Sequence, residues 1–137
     1  MNFIIDMLSG INPAGGGRII PMRPIRPTAY ARFISSLDSL DRISPSTKLD
    51  GVEEQLLNYI YLARVRGEKL LVGDIILLGK LGSQATLHGR LKNLVSKGFV
   101  QLIDDKVDGR RKSVHITAKA EKHYERLSAF MTKAVKL

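Results

Sequence analysis

The sequence predicts a mainly α-helical fold with one small β-hairpin, and three observations carry that prediction. Apolar residues recur at helical spacing in successive segments from Pro27 onward. Two short runs of strand-forming residues, Val100 to Ile103 and Ser113 to Ile116, flank the turn dipeptide Asp108-Gly109. The hairpin tip, Asp105 to Lys112, is crowded with Lys106, Arg110, Arg111 and Lys112, four cations that a purely structural turn does not need.

The chain opens with a flexible, basic arm containing Gly and Pro, residues 1–26, in which Gly15-Gly16-Gly17 and Pro21 and Pro24 are interspersed with Arg18, Arg23 and Arg26. Prolines at that spacing forbid a helix. The arm is either a plain loose terminus or an extension that follows a polyanion or wraps a partner subunit. Residues 27–137 then make the folded domain. Its first helix opens at Pro27 and Thr28, presents Tyr30, Phe33, Ile34, Leu37 and Leu40 on one face, and ends near Ser44-Pro45. The second is framed by Asp50 and Glu53, spaced as a capping box, and by Gly67. Leu56, Leu57, Tyr59, Ile60 and Ala63 make it the central packing helix.

A short apolar helix over Val72 to Lys80, closed by Gly79 and Gly82, leads into a longer one from Ser83 to Lys97. Leu87, Leu91, Leu94 and Val95 form the apolar stripe of that longer helix, Ser83 is its natural N-cap and Gly98 its stop. With the stripe turned inward, Ala85, Gly89, Lys92, Asn93 and Ser96 face outward, and Thr86, His88 and Arg90 lie on the flanks. The last helix runs from Thr117 almost to the end. Its seam of Ala120, Tyr124, Leu127, Met131 and Ala134, with Phe130 beside it, offers more apolar surface than so small a core can cover. Tyr124, Leu127, Phe130 and Met131 are therefore expected at a homodimer interface.

Charge is distributed unevenly. The net charge is +9, but residues 36–82 are close to neutral while the Ser83 helix, the hairpin and both ends are basic. Such asymmetry favours a polyanion partner. A short helix, a tight turn, a second helix with a small polar outer face and a cationic hairpin together describe a winged helix-turn-helix holding duplex DNA.

These residues resemble a known family. LGSQATLHGRLKNLVSKGFV, the hairpin with Asp108-Gly109-Arg110, and HITAKAEKHYERL look like the winged helix-turn-helix of MarR-type bacterial transcription regulators, over roughly residues 50 to 130. The resemblance implies a sequence-specific DNA-binding regulator, dimeric through its N- and C-terminal helices, with the wing arginine, here Arg110, entering the minor groove. It also implies an effector pocket between the dimer helices and the winged helix, although no polar cluster of the sequence identifies an effector. Where many members carry an outward arginine on the recognition helix, this chain has Gly89.

The expected DNA contacts are Ser83, Gln84, Thr86, His88, Arg90, Lys92 and Asn93 on the helix, and Lys106, Arg110, Arg111 and Lys112 on the wing, residues 104–113. An alternative is a winged-helix module docking protein or RNA in a larger assembly. His88, His115 and His123 have no carboxylate or second histidine at ligand spacing, and no phosphate-loop lysine follows Gly10 to Gly17. Asp104 and Asp105, beside the cationic tip, are placed to orient its arginines. No enzyme, cofactor or metal is expected. The absence of cysteine fits a reducing compartment. The opening MNFIIDML lacks a basic start and is interrupted by Asp6, so it reads as neither signal peptide nor membrane span. A cytoplasmic bacterial protein, associated with the nucleoid when bound, is the expectation.

Overall fold

The computed structural model describes residues 22–43 and 48–136. Arm residues 1–21 and the helix stop at Ser44-Pro45 lie outside the described residues, while 22–26 are exposed and irregular. The elements are α1 (Ala29–Ile43), α2 (Gly51–Val65), α3 (Val72–Ile76), α4 (Gln84–Ser96), β1 (Val100–Asp104), β2 (Lys112–Ile116) and α5 (Ala118–Val135). They fall into two compact units, one of residues 48–126 and one of 22–43 with 127–136. The mainly helical fold with a two-stranded hairpin is the predicted one.

In the larger unit the capping box forms as the spacing requires. Asp50 Oδ1 accepts from the Glu53 N–H at 2.7 Å, and Glu53 Oε1 accepts from the Asp50 N–H at 3.0 Å. The helix ends at Gly67, whose φ of +72° is a left-handed stop. Between these ends α2 buries Leu56, Leu57, Ile60 and Ala63. Tyr59 is only half-buried. Against these pack Ile75 of α3, Leu87, Leu91 and Leu94 of α4, then Phe99, Val100, Val114 and Ala120. Burying each large aliphatic side chain contributes about 1.5–3 kcal/mol. Val95, expected in the stripe, is instead 37% exposed. Helical geometry turns it 100° beyond Leu94, to the edge of the face that Leu87, Leu91 and Leu94 bury.

α3 is shorter than the predicted Val72 to Lys80. Asp74 reaches back to accept from the Leu71 N–H at 2.9 Å, and the helix ends after Ile76. Residues 77–82 are turn, since Gly79 and Gly82 give that stretch no helical preference. The hairpin is antiparallel, with Val100 opposite Ile116 and Asp104 opposite Lys112. Leu70 joins its edge by accepting from the Val114 N–H at 2.9 Å. The Asp108-Gly109 turn differs in kind from a two-residue hairpin turn: Gly109 has no positive φ, and the Arg111 N–H bonds to the Asp108 carbonyl at 3.0 Å inside a longer tip.

Thr117 couples two helices. Its hydroxyl donates to the Gly98 carbonyl at 2.6 Å and accepts from the Ala120 N–H at 3.2 Å, so the end of α4 and the start of α5 share one side chain. Tyr124 corrects the dimer assignment. It is buried in its own chain, stacked on Tyr61 at 3.8 Å between ring centroids, with its hydroxyl donating to Asn58 Oδ1 at 2.7 Å. Burial first, with the neighbouring Tyr61 and Glu54, pushes its phenol well above the usual range.

The smaller unit is sparsely buried. Thr28 caps α1 by accepting from the Ala31 N–H at 3.0 Å. Phe33, Ile34, Leu37 and Leu40 are half-buried, Tyr30 is exposed, and no residue of α1 is fully buried. Arg32 Nε donates to the Ala134 carbonyl at 2.8 Å, and Ala134 is buried.

The two carboxylates of the α2 box also hold α4. Lys97 Nζ lies 3.0 Å from both oxygens of Glu53, which is 2% exposed, and donates to the Lys48 carbonyl. Lys97→Met should cost about 2 kcal/mol, less than the 3–5 of a fully buried pair because Lys97 keeps some contact with water. Urea denaturation measures this, and pairing Lys97→Met with Glu53→Gln should recover part of the loss. A single-variant cost of only a few tenths would mean that the ion pair does not anchor the helix.

Candidate nucleic-acid interface

Helix α4 starts where its N-cap dictates. Ser83 Oγ accepts from the Thr86 N–H at 3.2 Å and donates to Thr86 Oγ1 at 2.9 Å. Thr86 is thereby absorbed into the cap, and its methyl would lie 3.4 Å from a Cβ placed on Gly82. Gln84, Ala85, His88, Gly89 and Lys92 are exposed, and Asn93 is half-buried. A Cβ added at Gly89 would meet nothing within 4 Å. The outer face is therefore small and polar, as the helical spacing requires.

Arg90 departs from its expected role. Its Nε lies 3.0 Å from Asp50 Oδ2, buried and without a directed hydrogen bond. The flank position that periodicity assigns it points across to the N-terminus of α2 rather than outward. Arg90 is thus paired with Asp50 at the start of α2 while 40% of its side chain stays exposed.

The wing carries its cations on its own carboxylates. Asp108 Oδ1 accepts from the Arg110 N–H at 3.1 Å and from Arg110 Nε at 3.2 Å, and Arg111 Nε lies 3.7 Å from Asp108 Oδ2. Lys112 Nζ donates to Asp104 Oδ1 at 2.7 Å across the strand pair. The side chains of Arg110, Arg111 and Lys112 remain 92%, 63% and 54% exposed, and Lys106 also faces solvent. Asp105 turns the other way, pairing with Lys69 just before α3 and accepting from the Asp108 N–H at 3.3 Å. The expectation that Asp104 and Asp105 orient the arginines is corrected: Asp104 pairs with Lys112, Asp105 with Lys69, and Asp108 holds both Arg110 and Arg111. The signal for Asp108 lay in its spacing, two and three residues before the cations.

Between α3, α4 and the wing runs a groove of about 720 Å³. Leu71, Val72, Leu77, Leu91 and Leu102 form its apolar side, Lys92, Arg110, Arg111 and Lys112 its cationic side, and His88 and Asp74 also line it. Helix and wing thus bring together five of the predicted contact residues. His115 bonds to Ser113 Oγ at 3.0 Å, and His123 packs edge-on against Phe99 and Tyr124. Among the described residues no group of three His, Cys, Asp or Glu could hold a metal, and no helix is long and apolar enough to cross a membrane.

Two wing carboxylates titrate abnormally. The Lys69 ammonium above all, then the Asp108 N–H, holds Asp105 below the usual carboxylate range, and the Arg110 N–H followed by its guanidinium does the same for Asp108. A depressed folded pKa stabilises the fold above the unfolded value, near 3.9 for Asp, and that contribution disappears as pH falls through the folded value. The melting temperature of Asp105→Asn should therefore lie below wild type at pH 7, with the gap closing below about pH 4. A gap independent of pH would detach the Lys69 pair from stability.

The sequence matches no family model and no curated protein. Solved structures do match. MepR of S. aureus bound to ethidium bromide superposes with a TM-score of 0.58 at 18% identity, over 96% of this chain and 75% of that one. The S. aureus MepR-DNA complex gives 0.56 at 22% identity, over 77% and 85%. The heme sensor PefR of Streptococcus agalactiae, in complex with heme, gives 0.51 at 19% identity, over 73% and 69%. Identities this low carry the fold and nothing finer: the chain has the winged helix-turn-helix fold of these structures.

Proposed function

We propose that the chain is a sequence-specific, DNA-binding transcription regulator of the MarR type, acting as a homodimer in the bacterial cytoplasm. The observation that carries this reading is the convergence of His88, Lys92, Arg110, Arg111 and Lys112 along one groove beside an exposed, small-residue helix face. Lys92 and the three wing cations so placed suit a phosphate strand, and the face between them suits a major groove. That a protein of this fold, MepR, has been solved with DNA supports the same reading.

In this mechanism α4 enters the major groove with Ser83 and Gln84 leading, His88, Lys92 and Asn93 alongside, and the wing clamps the flanking backbone. Arg110 reaches the minor groove, and Lys106, Arg111 and Lys112 meet phosphates. Ion pairs as exposed as Arg110 with Asp108 are weak, so phosphate can replace the carboxylate at little cost. Dimerisation falls to the smaller unit. Tyr30 is 70% exposed and Met131 57%, Leu127 and Phe130 are half-buried, and a second copy would cover them.

Gel shifts on duplex DNA across a salt series test the reading. Affinity should fall steeply with salt, and Arg110→Ala should weaken binding by about 1–3 kcal/mol without loss of fold. Salt-insensitive or absent binding would favour a protein-docking module.

Assembly has its own test. Leu127→Asp with Met131→Asp should give a monomer, since unpaired carboxylates would enter an apolar interface. Affinity for a full inverted repeat, with half-sites about 10 base pairs or a small multiple apart, should fall towards that for one half-site. A wild-type protein that sediments as a monomer at micromolar concentration would reject the dimer.

A further inference from the structure

The wing tip is built outward from one carboxylate. Asp105 follows β1, donates its N–H to the Arg111 carbonyl at 2.9 Å, and has a side chain only 8% exposed. Its Oδ1 accepts from Lys69 Nζ and its Oδ2 from the Asp108 N–H at 3.3 Å. Asp108 in turn accepts from Arg110 at its N–H and Nε and faces Arg111 Nε, while its carbonyl accepts from the Arg111 N–H. Both arginines thus trace back through Asp108 to Asp105, and from there to a lysine 36 residues earlier in the chain.

Lys69 stands outside the tip. Next to it, Leu70 accepts from the Val114 N–H, and Leu71 bridges to Ser113 and opens α3, which packs on α4. The lysine therefore projects from backbone fixed to β2 on one side and to the helices on the other. Val107, the only apolar residue between Asp105 and Lys112, is 90% exposed, so the tip has no apolar anchor of its own. A carboxylate as buried as Asp105 is costly without its partner, and losing the ammonium would turn it towards water and release the Asp108 N–H. Lys69 itself lines a separate hollow of about 180 Å³ with Arg64 and His115, not the groove beside α4. We propose that Lys69 is a positioning residue for DNA binding: without touching the duplex it holds the wing tip, and with it Arg110 and Arg111, in place beside α4. The inference rests on the DNA-binding mode proposed above.

The sign of one charge change separates positioning from electrostatics. Asp105→Asn removes a negative charge, so electrostatics alone would tighten binding to duplex DNA. Loss of the brace should instead weaken it about tenfold, the size of one arginine contact. Lys69→Met should weaken binding similarly, the double variant no further than either single one, and Lys69→Arg, which keeps the pair, should bind like wild type. The slope of log affinity against log salt, about 0.9 per neutralised phosphate, should fall by about two in both single variants as Arg110 and Arg111 disengage. A direct phosphate contact by Lys69 would lower it by about one, in the lysine variant only. Lys69→Gln serves if Lys69→Met does not fold. In the free protein, amide hydrogen exchange at Asp105, Asp108 and Arg111 should quicken in the lysine variant while α2 and α4 keep their protection. Asp105→Asn affinity at or above wild type with an unchanged slope would overturn the positioning role, and unchanged exchange at the tip would overturn the brace itself. Absence of salt-sensitive duplex binding by the wild-type chain would overturn the underlying function instead, and the exchange rates would still decide whether Lys69 holds the wing.

Discussion

The orientation of α4 depends on two carboxylates at the start of α2. Asp50 and Glu53 close the capping box of their own helix, where the positive end of the helix dipole favours negative charge. The same groups meet Arg90 and Lys97 of α4, two turns apart and so on one face. Burying Glu53 would be costly if it stood alone; the cap N–H and the Lys97 ammonium offset that cost. The leucine stripe supplies most of the energy that holds α4 down, but apolar contact is non-directional, and the ion pairs select one rotation of the helix. Gln84, Gly89 and Lys92 face outward as a consequence.

From Lys97 the constraint passes onward. The Lys97 carbonyl accepts from Lys119, which also sits 4.8 Å over the Phe99 ring, and the Gly98 carbonyl accepts from Thr117. Gly98, at a φ of +84°, is what allows the chain to turn back here without strain. The wing follows directly, anchored at its base by buried Phe99, Val100 and Val114, so helix and hairpin are set relative to one another by a few residues at one joint.

The ion pairs at the wing tip add little to stability, since Asp104 and Asp108 meet Lys112, Arg110 and Arg111 in exposed pairs. Asp105 serves a different end, tying the tip to Lys69 and hence to the segment that leads into α3. The groove between α3, α4 and the wing is bounded by Leu71, Leu77, Leu91 and Leu102 and by the cations of the wing.

Much of this was legible in the one-dimensional pattern, because caps and stripes are local. The Asp50 to Glu53 box, the Ser83 cap, the Gly67 and Gly98 stops and the Leu87, Leu91, Leu94 stripe depend on residues within a turn or two of each other, and the structure forms each of them. The basic tip was legible too, since Lys106, Arg110, Arg111 and Lys112 crowd one short hairpin. What periodicity could not resolve was the partner of a side chain lying between faces. Arg90 and Tyr124 both sit where spacing permits an outward role, yet Arg90 finds Asp50 and Tyr124 stacks on Tyr61, partners forty and sixty-three residues earlier in the chain. Val95 fell just outside the buried arc for the same reason, because the width of a covered face depends on the neighbour that covers it. Local spacing thus determined which segments are helix, turn and strand, whereas long-range packing decided which cations are spent inside the fold and which remain free on its surface.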